Sequence, residues 1–262
     1  MEWGGNIKNK ILNYYKNFPQ VKAIAIGGSN SAKTSDEVSD VDIYVYTTGE
    51  IPVKEREKFV KEISTKYEVG GEYFGSGDEY FVDNLKVQFD VMFWDTSWFE
   101  NVVENTWIKH YPSNGYSTAF LYTLDVCEII YDPNNWLRRL KDKISTEYPE
   151  KLQKNIIHRN MMLLKDKPFA SYYEQIEKAI KRNDIVSINH RISAFLASYF
   201  DIIFAKNKLL HPGEKRLIKY TKENCKILPK DFEVNIEKLL KQPKSEILRI
   251  LDVMVENLRA CI

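Results

Sequence analysis

The 262-residue chain predicts an α+β fold, a mixed sheet flanked by helices and followed by a C-terminal helical bundle. Two observations carry this. Three stretches, Val21 to Ile26, Asp40 to Tyr46 and Lys86 to Trp94, are rich in β-branched and aromatic residues, and the last two alternate with the period-two pattern of strands. From Glu150 onward every apolar pattern instead has the helical period, and no alternating stretch interrupts it. The chain therefore divides into a sheet domain, residues 1–146, and a helical bundle, residues 147–262.

Taken in order, Asn6 to Phe18 places Ile7, Ile11, Leu12 and Tyr15 on one helical face, and Pro19 ends it. The strand Val21–Ile26 runs into a sharp turn at Gly27-Gly28-Ser29. A polar loop, Asn30 to Ser39, leads to a second strand carrying Asp40 and Asp42 between apolar neighbours. Pro52 opens a charged helix, Val53 to Lys66, with Phe59, Val60 and Ile63 inward. The glycine-rich Tyr67 to Phe81 predicts a short strand and a loop, with Glu72, Asp78 and Glu79 read most simply as surface acids. After a turn at Asp83-Asn84, the strand Lys86–Trp94 sets Asp90 among strongly apolar neighbours. Short amphipathic pieces follow at Trp98–Trp107 and Tyr116–Val126, then a small strand, Cys127–Tyr131. Asn134 or Asn135 is the expected cap of a helix at Trp136–Lys143. The bundle helices are expected at 150–164, 171–181, 184–206, 214–221, 232–241 and 245–259.

Composition narrows the setting. Lys and Arg number 38 against 37 Asp and Glu, a formal net charge of +1, so the basic surplus of a protein gripping a long polyanion is missing. No extended nucleic-acid binding is expected. Cys127, Cys225 and Cys261 lie far apart and match no metal-ligand spacing, which suits reduced thiols in a cytoplasmic protein. MEWGGNIKNK lacks the apolar core of a secretory signal. The most apolar later stretch, Ile192 to Ala205, is too short to span a bilayer and contains Asp201, so it predicts a buried helix and no membrane association.

The chemistry concentrates between Val21 and Tyr46. A Gly-Gly turn alone is ordinary, and Asp-x-Asp alone is frequent. Together they are more specific: a strand runs into Gly27-Gly28-Ser29, and Ser-Asp-x-Asp then opens the next strand. Glycines let backbone approach a phosphate closely, and Ser29 with nearby N–H groups supplies donors. Asp40 and Asp42 share one strand face about 6.5–7 Å apart, a separation suited to shared divalent cations. Asp90 on an apolar strand needs a salt bridge, hydrogen bonds or a metal to offset its burial.

The segment GGSNSAKTSDEVSDVDIYVY resembles the signature of the nucleotidyltransferase superfamily, which includes DNA polymerase β and the antibiotic nucleotidyltransferases. The resemblance implies transfer of a nucleoside monophosphate from ATP or another NTP to an acceptor, with two Mg²⁺ ions. It implies that Asp40 and Asp42 bind both ions and that Asp90, as third acid, completes the second ion's shell, either as a ligand only or also as the base that takes the acceptor's proton. Gly27, Gly28 and Ser29 would cradle phosphate. In the bundle, Asn207 to Leu217 (N-K-L-L-H-P-G-E-K-R-L) is similar to an element of a bacterial subgroup of nucleotidyltransferase-like proteins. Antibiotic nucleotidyltransferases hold triphosphate with a lysine of their helical domain, a role the resemblance gives to Lys215 with Arg216 as neighbour or substitute. By composition alone that segment is a helix connector with a basic edge.

The expected function is AMP transfer from ATP to a hydroxyl of a small-molecule, antibiotic-type acceptor. Two other functions fit the same residues: nucleotidylylation of a protein or RNA, as in a toxin–antitoxin pair, and a nucleotide-binding regulator without turnover. The intact acids Asp40, Asp42 and Asp90 weigh against the regulator. His158 and His190 sit within helical patterns as structural residues, His211 braces its turn, and Trp94, Trp98 and Trp107 fit core or interface positions better than nucleobase stacking.

Overall fold

The computed structural model describes residues 5–27, 40–73, 75–241 and 243–262. The chain divides into two compact units, Met1–Glu104 with Thr123–Thr146, and Asn105–Tyr122 with Glu147–Ile262.

The first unit is built on a six-stranded mixed sheet. Its elements are α1 (Gly5–Tyr15), β1 (Val21–Gly27), β2 (Val41–Thr47), α2 (Val53–Lys61), β3 (Lys66–Gly71), β4 (Gly77–Val82), β5 (Val87–Asp95), α3 (Thr96–Val103), β6 (Glu128–Tyr131) and α5 (Trp136–Ile144), while α4 (Ala119–Val126), ahead of β6, begins in the second unit and ends in the first. The strand order is β3-β4-β5-β2-β1-β6. β2 and β5 run parallel at the centre and the other pairs are antiparallel. Side-chain alternation gives the sheet two different faces. Ile24, Ile26, Ile43, Val45, Phe89 and Val91 point to one side, where they bury against Ile11 and Tyr15 of α1 and Phe59 and Val60 of α2. On the other side Tyr46 packs edge-on to Phe99 of α3, with ring centroids 5.0 Å apart, and lies 5.4 Å from Trp136 of α5.

The segment Tyr67–Phe81 departs from expectation. It holds two strands, β3 and β4, paired antiparallel to each other and through β4 to β5. Gly70, Gly71, Gly75 and Gly77 mask the alternation, although Asp78, Tyr80 and Val82 are all buried on one face of β4. Asp78 is thus no surface acid. It is 1 % exposed and pairs with Arg56 of α2, itself 2 % exposed, while Gly70 N donates to its carboxylate at 2.9 Å. Arg56 also donates to Ile51 O at 3.0 Å and lies over the Phe93 ring. This pair anchors β4 to α2. Burial pushes the Asp78 carboxyl up, while Gly70 N–H and Arg56 pull it down. Helix α2 also ends earlier than its charge pattern suggests, because Ser64 turns the chain by bonding Lys66 O and Phe81 O. At α5 Asn135 holds the N-cap position, as expected, but its side chain makes no capping bond. Asp132 accepts from Trp136 N at 2.7 Å and from Arg138 N at 2.9 Å, and Asn135 takes a left-handed backbone.

The second unit contains α6 (Glu150–Met161), a π-helical turn Met162–Asp166, α7 (Tyr172–Lys181), α8 (Ile185–Lys206), α9 (Leu217–Asn224), α10 (Phe232–Lys241) and α11 (Lys244–Arg259). α8 is its central rod: Phe195, Tyr199, Ile202 and Ile203 bury in one core with Leu251, Met254 and Leu258 of α11. Ser171 and Asp184 cap α7 and α8. Asp201, the acid within the predicted buried helix, is 1 % exposed. It accepts from Ser117 N at 3.0 Å, Ser117 Oγ at 2.7 Å and Asn160 Nδ2 at 3.0 Å. Among the described residues no helix is long and apolar enough to cross a membrane.

Candidate active site

Strand register brings the predicted residues of the first unit into a line. Gly27 of β1 stands opposite Asp42 of β2, and Asp42 opposite Asp90 of β5. The line continues from Asp90 to Glu79 of β4 and from Glu79 to Glu68 of β3. Register partners share a sheet face and lie about 5 Å apart. One row across five strands therefore reads Gly27, Asp42, Asp90, Glu79, Glu68. Asp40 immediately precedes β2, and its negative charge reaches Glu79. Asp40, Asp42 and Asp90 are each half-buried.

Two residues escaped the sequence reading. Glu79, weighed as a loop acid, is the cross-strand neighbour of Asp90. Its carboxyl is raised above the usual carboxylate range by partial burial and then by the charges of Asp90, Glu68 and Asp40. The alternation of Gly77 to Val82 was the signal: once Asp78 faces the core, Glu79 must face the acids. Gln88 lies two residues before Asp90 on the same face and donates from Nε2 to Asp90 Oδ1 at 2.9 Å. This bond fixes the rotation of the Asp90 carboxylate, as outer-shell groups do around metal ligands.

The donor chemistry suits Mg²⁺, because carboxylate oxygens are hard ligands and Asp42 and Asp90 stand directly side by side. Among the described residues, no three of His, Cys, Asp or Glu already stand close enough to hold an ion together. Asp42 and Asp90 are cross-strand neighbours, and Asp40 immediately precedes β2. Gly28 and Ser29 lie outside the described residues.

Lys215 and Arg216 belong to the second unit. Both precede α9, which starts three residues later than predicted, so both lie on its entry loop. Lys215 is exposed. Arg216 takes a left-handed backbone (φ 55°) and lines a groove of about 630 Å³ with Leu196, Phe200, Leu217 and Ile236. His211 shapes this loop. It is fully buried between the rings of Tyr116 and Phe204, its Nδ1 accepts from Gly213 N at 3.1 Å, and its backbone N–H donates to Thr118 Oγ1 at 2.8 Å. Burial lowers its pKa to about 4, so the ring is neutral.

Residues 9–73 match the family model described as polymerase beta, nucleotidyltransferase, which supports a nucleotidyltransferase-superfamily assignment for this part of the chain. That match covers Gly27, Asp40 and Asp42 and stops before Asp90. Residues 116–217 match a domain of unknown function (DUF4037), whose stretch holds Asp201 and ends on the Lys215–Arg216 loop. Among solved structures, the chain is similar to a nucleotidyltransferase-like protein from Exiguobacterium sibiricum 255-15, at 12% identity and a TM-score of 0.49, over 97% of this chain and 74% of that one. No curated protein matches.

Proposed function

We propose that this protein is a Mg²⁺-dependent nucleotidyltransferase that moves AMP from ATP to a hydroxyl group of a small-molecule acceptor of the antibiotic type. The observation that carries this reading is the row Gly27, Asp42, Asp90 on adjacent strands, with Asp40 flanking it. The acceptor hydroxyl attacks the α-phosphorus, a new O–P bond forms, and the bond to pyrophosphate breaks. Divalent cations held by Asp40, Asp42 and Asp90 would supply neutralisation of charge on the transferred group and on departing pyrophosphate. Gln88 keeps the Asp90 carboxylate turned for its role. Lys215, with Arg216, holds triphosphate oxygens as a point charge. Glu79 and Glu68 extend the acid row past the three ligands, which supports an acceptor bearing positive charge.

The test is a pyrophosphate-release screen with the four nucleoside triphosphates against hydroxylated small molecules, cationic and neutral. Release with ATP and a cationic acceptor is expected. Release only with a protein or RNA acceptor supports nucleotidylylation of a macromolecule, and Mg²⁺·ATP binding with no release under any acceptor marks a regulator.

A further inference from the structure

Position 27 raises a steric question that phosphate binding does not answer. Gly27 is absent from the glycines with left-handed backbone, so what it offers is space. That space is taken. A Cβ at Gly27 would lie 2.0 Å from Cε2 of Tyr44 and 2.7 Å from its Cζ and Oη. Tyr44 follows Asp42 by two residues and shares its sheet face, and the residue opposite Tyr44 is the small Ala25. The ring cannot retreat. Its other side stacks on Trp94, centroids 4.4 Å apart and planes 21° apart, and Trp94 in turn stacks on Phe99 at 5.3 Å. Tyr44 is 7 % exposed, so its ring is enclosed beneath the end of β1.

We propose that Tyr44 is a positioning residue of the carboxylate site: clamped between Trp94 and Gly27, its ring sets how far the end of β1 stands from Asp42 and Asp90, and position 27 is glycine to admit it. This rests on the nucleotidyltransferase reading for its ligand, while the steric coupling stands on packing alone. The ring acts here and the hydroxyl does not, so phenylalanine should serve and alanine should not.

The experiment compares the full chain with Gly27→Ala, Tyr44→Ala, Tyr44→Phe and the Gly27→Ala/Tyr44→Ala double variant, reading Mg²⁺·ATP affinity by calorimetry and melting temperature. Gly27→Ala and Tyr44→Ala should each weaken Mg²⁺·ATP about tenfold, the coupling expected of touching groups. In the Tyr44→Ala background the added Gly27→Ala change should weaken it less than about twofold, and Tyr44→Phe should stay within about twofold of wild type. Additive losses, alanine at 44 binding as wild type, or phenylalanine as harmful as alanine would each overturn the proposal. If Gly27→Ala fails to fold, the double variant decides: a recovered melting transition supports the clamp, and its continued absence sinks it. A wild-type chain that takes up no Mg²⁺·ATP overturns the nucleotide reading instead. The clamp is then judged on melting temperatures, where an additive pair overturns it.

Discussion

Replacing Asp201 by asparagine should change how stability depends on pH in a way that can be worked out from its surroundings. Burial raises the Asp201 carboxyl from 3.8 to about 6, partly offset by hydrogen bonds from Ser117 and Asn160. Because the folded pKa lies above the unfolded one, the favourable contribution is complete below 3.8 and is lost as pH rises through about 6. Across that interval the folded carboxyl still holds its proton and the unfolded one has released it. The wild type should therefore lose about 2 kcal/mol through this group between about pH 4.5 and about pH 7. Asparagine does not titrate. It brings a constant penalty of about 1–3 kcal/mol, since its amide nitrogen must face the amide donor of Asn160. Urea denaturation of both chains across that pH range separates the two effects, because the constant penalty drops out of the slope. The deficit of the variant should shrink by about 2 kcal/mol towards neutral pH. Parallel curves would refute the argument that Asp201 folds as a reluctantly ionised acid.

Other outcomes follow from the same geometry. Arg56→Met leaves Asp78 buried without its cationic partner and should cost about 3–5 kcal/mol in denaturant unfolding, with much of it recovered by adding Asp78→Leu; a loss below about 1 kcal/mol would mean that the pair does not anchor β4. Gln88→Leu removes the hydrogen bond that Gln88 donates to Asp90 and should lower pyrophosphate release about 10–100-fold with an unchanged melting temperature; unchanged release removes Gln88 from the site. Lys215→Ala should weaken ATP binding more than the chemical step, and equal ATP affinity in variant and wild type dissociates Lys215 from the triphosphate.

Much of the sheet was legible because its central strands obey simple periodicity. Val21–Gly27, Val41–Thr47 and Val87–Asp95 carry unbroken apolar sets for one buried face, so their existence could be read directly. The pairing of Asp42 with Asp90 could not. Register between strands far apart in sequence is set by tertiary packing, and only the family resemblance joined them beforehand. β3 and β4 were hidden because four glycines interrupt the pattern and because Asp78 spends a core-facing position on a charge. Its partner Arg56 lies in a helix whose other charges face water, so nothing in the local pattern marks it as buried. At α5 the N-cap position of Asn135 was legible and its bonding was not: Asp132 reaches past two asparagines to accept from two amides, a geometry that residue preference alone does not reveal. In the bundle, the helical period placed every long helix. The loop at Lys215 was misread as helix because Arg216 takes a left-handed turn that its residue type does not advertise.

The claim on which the rest depends is that Asp42 and Asp90, side by side on parallel strands, hold a divalent cation between them in the nucleotide complex. Paramagnetic titration of the chain with Mn²⁺ and ATP addresses it directly. Wild type should sequester Mn²⁺, while Asp42→Asn and Asp90→Asn should each lose that uptake with an intact melting transition. Uptake equal to wild type in either folded variant would contradict the account.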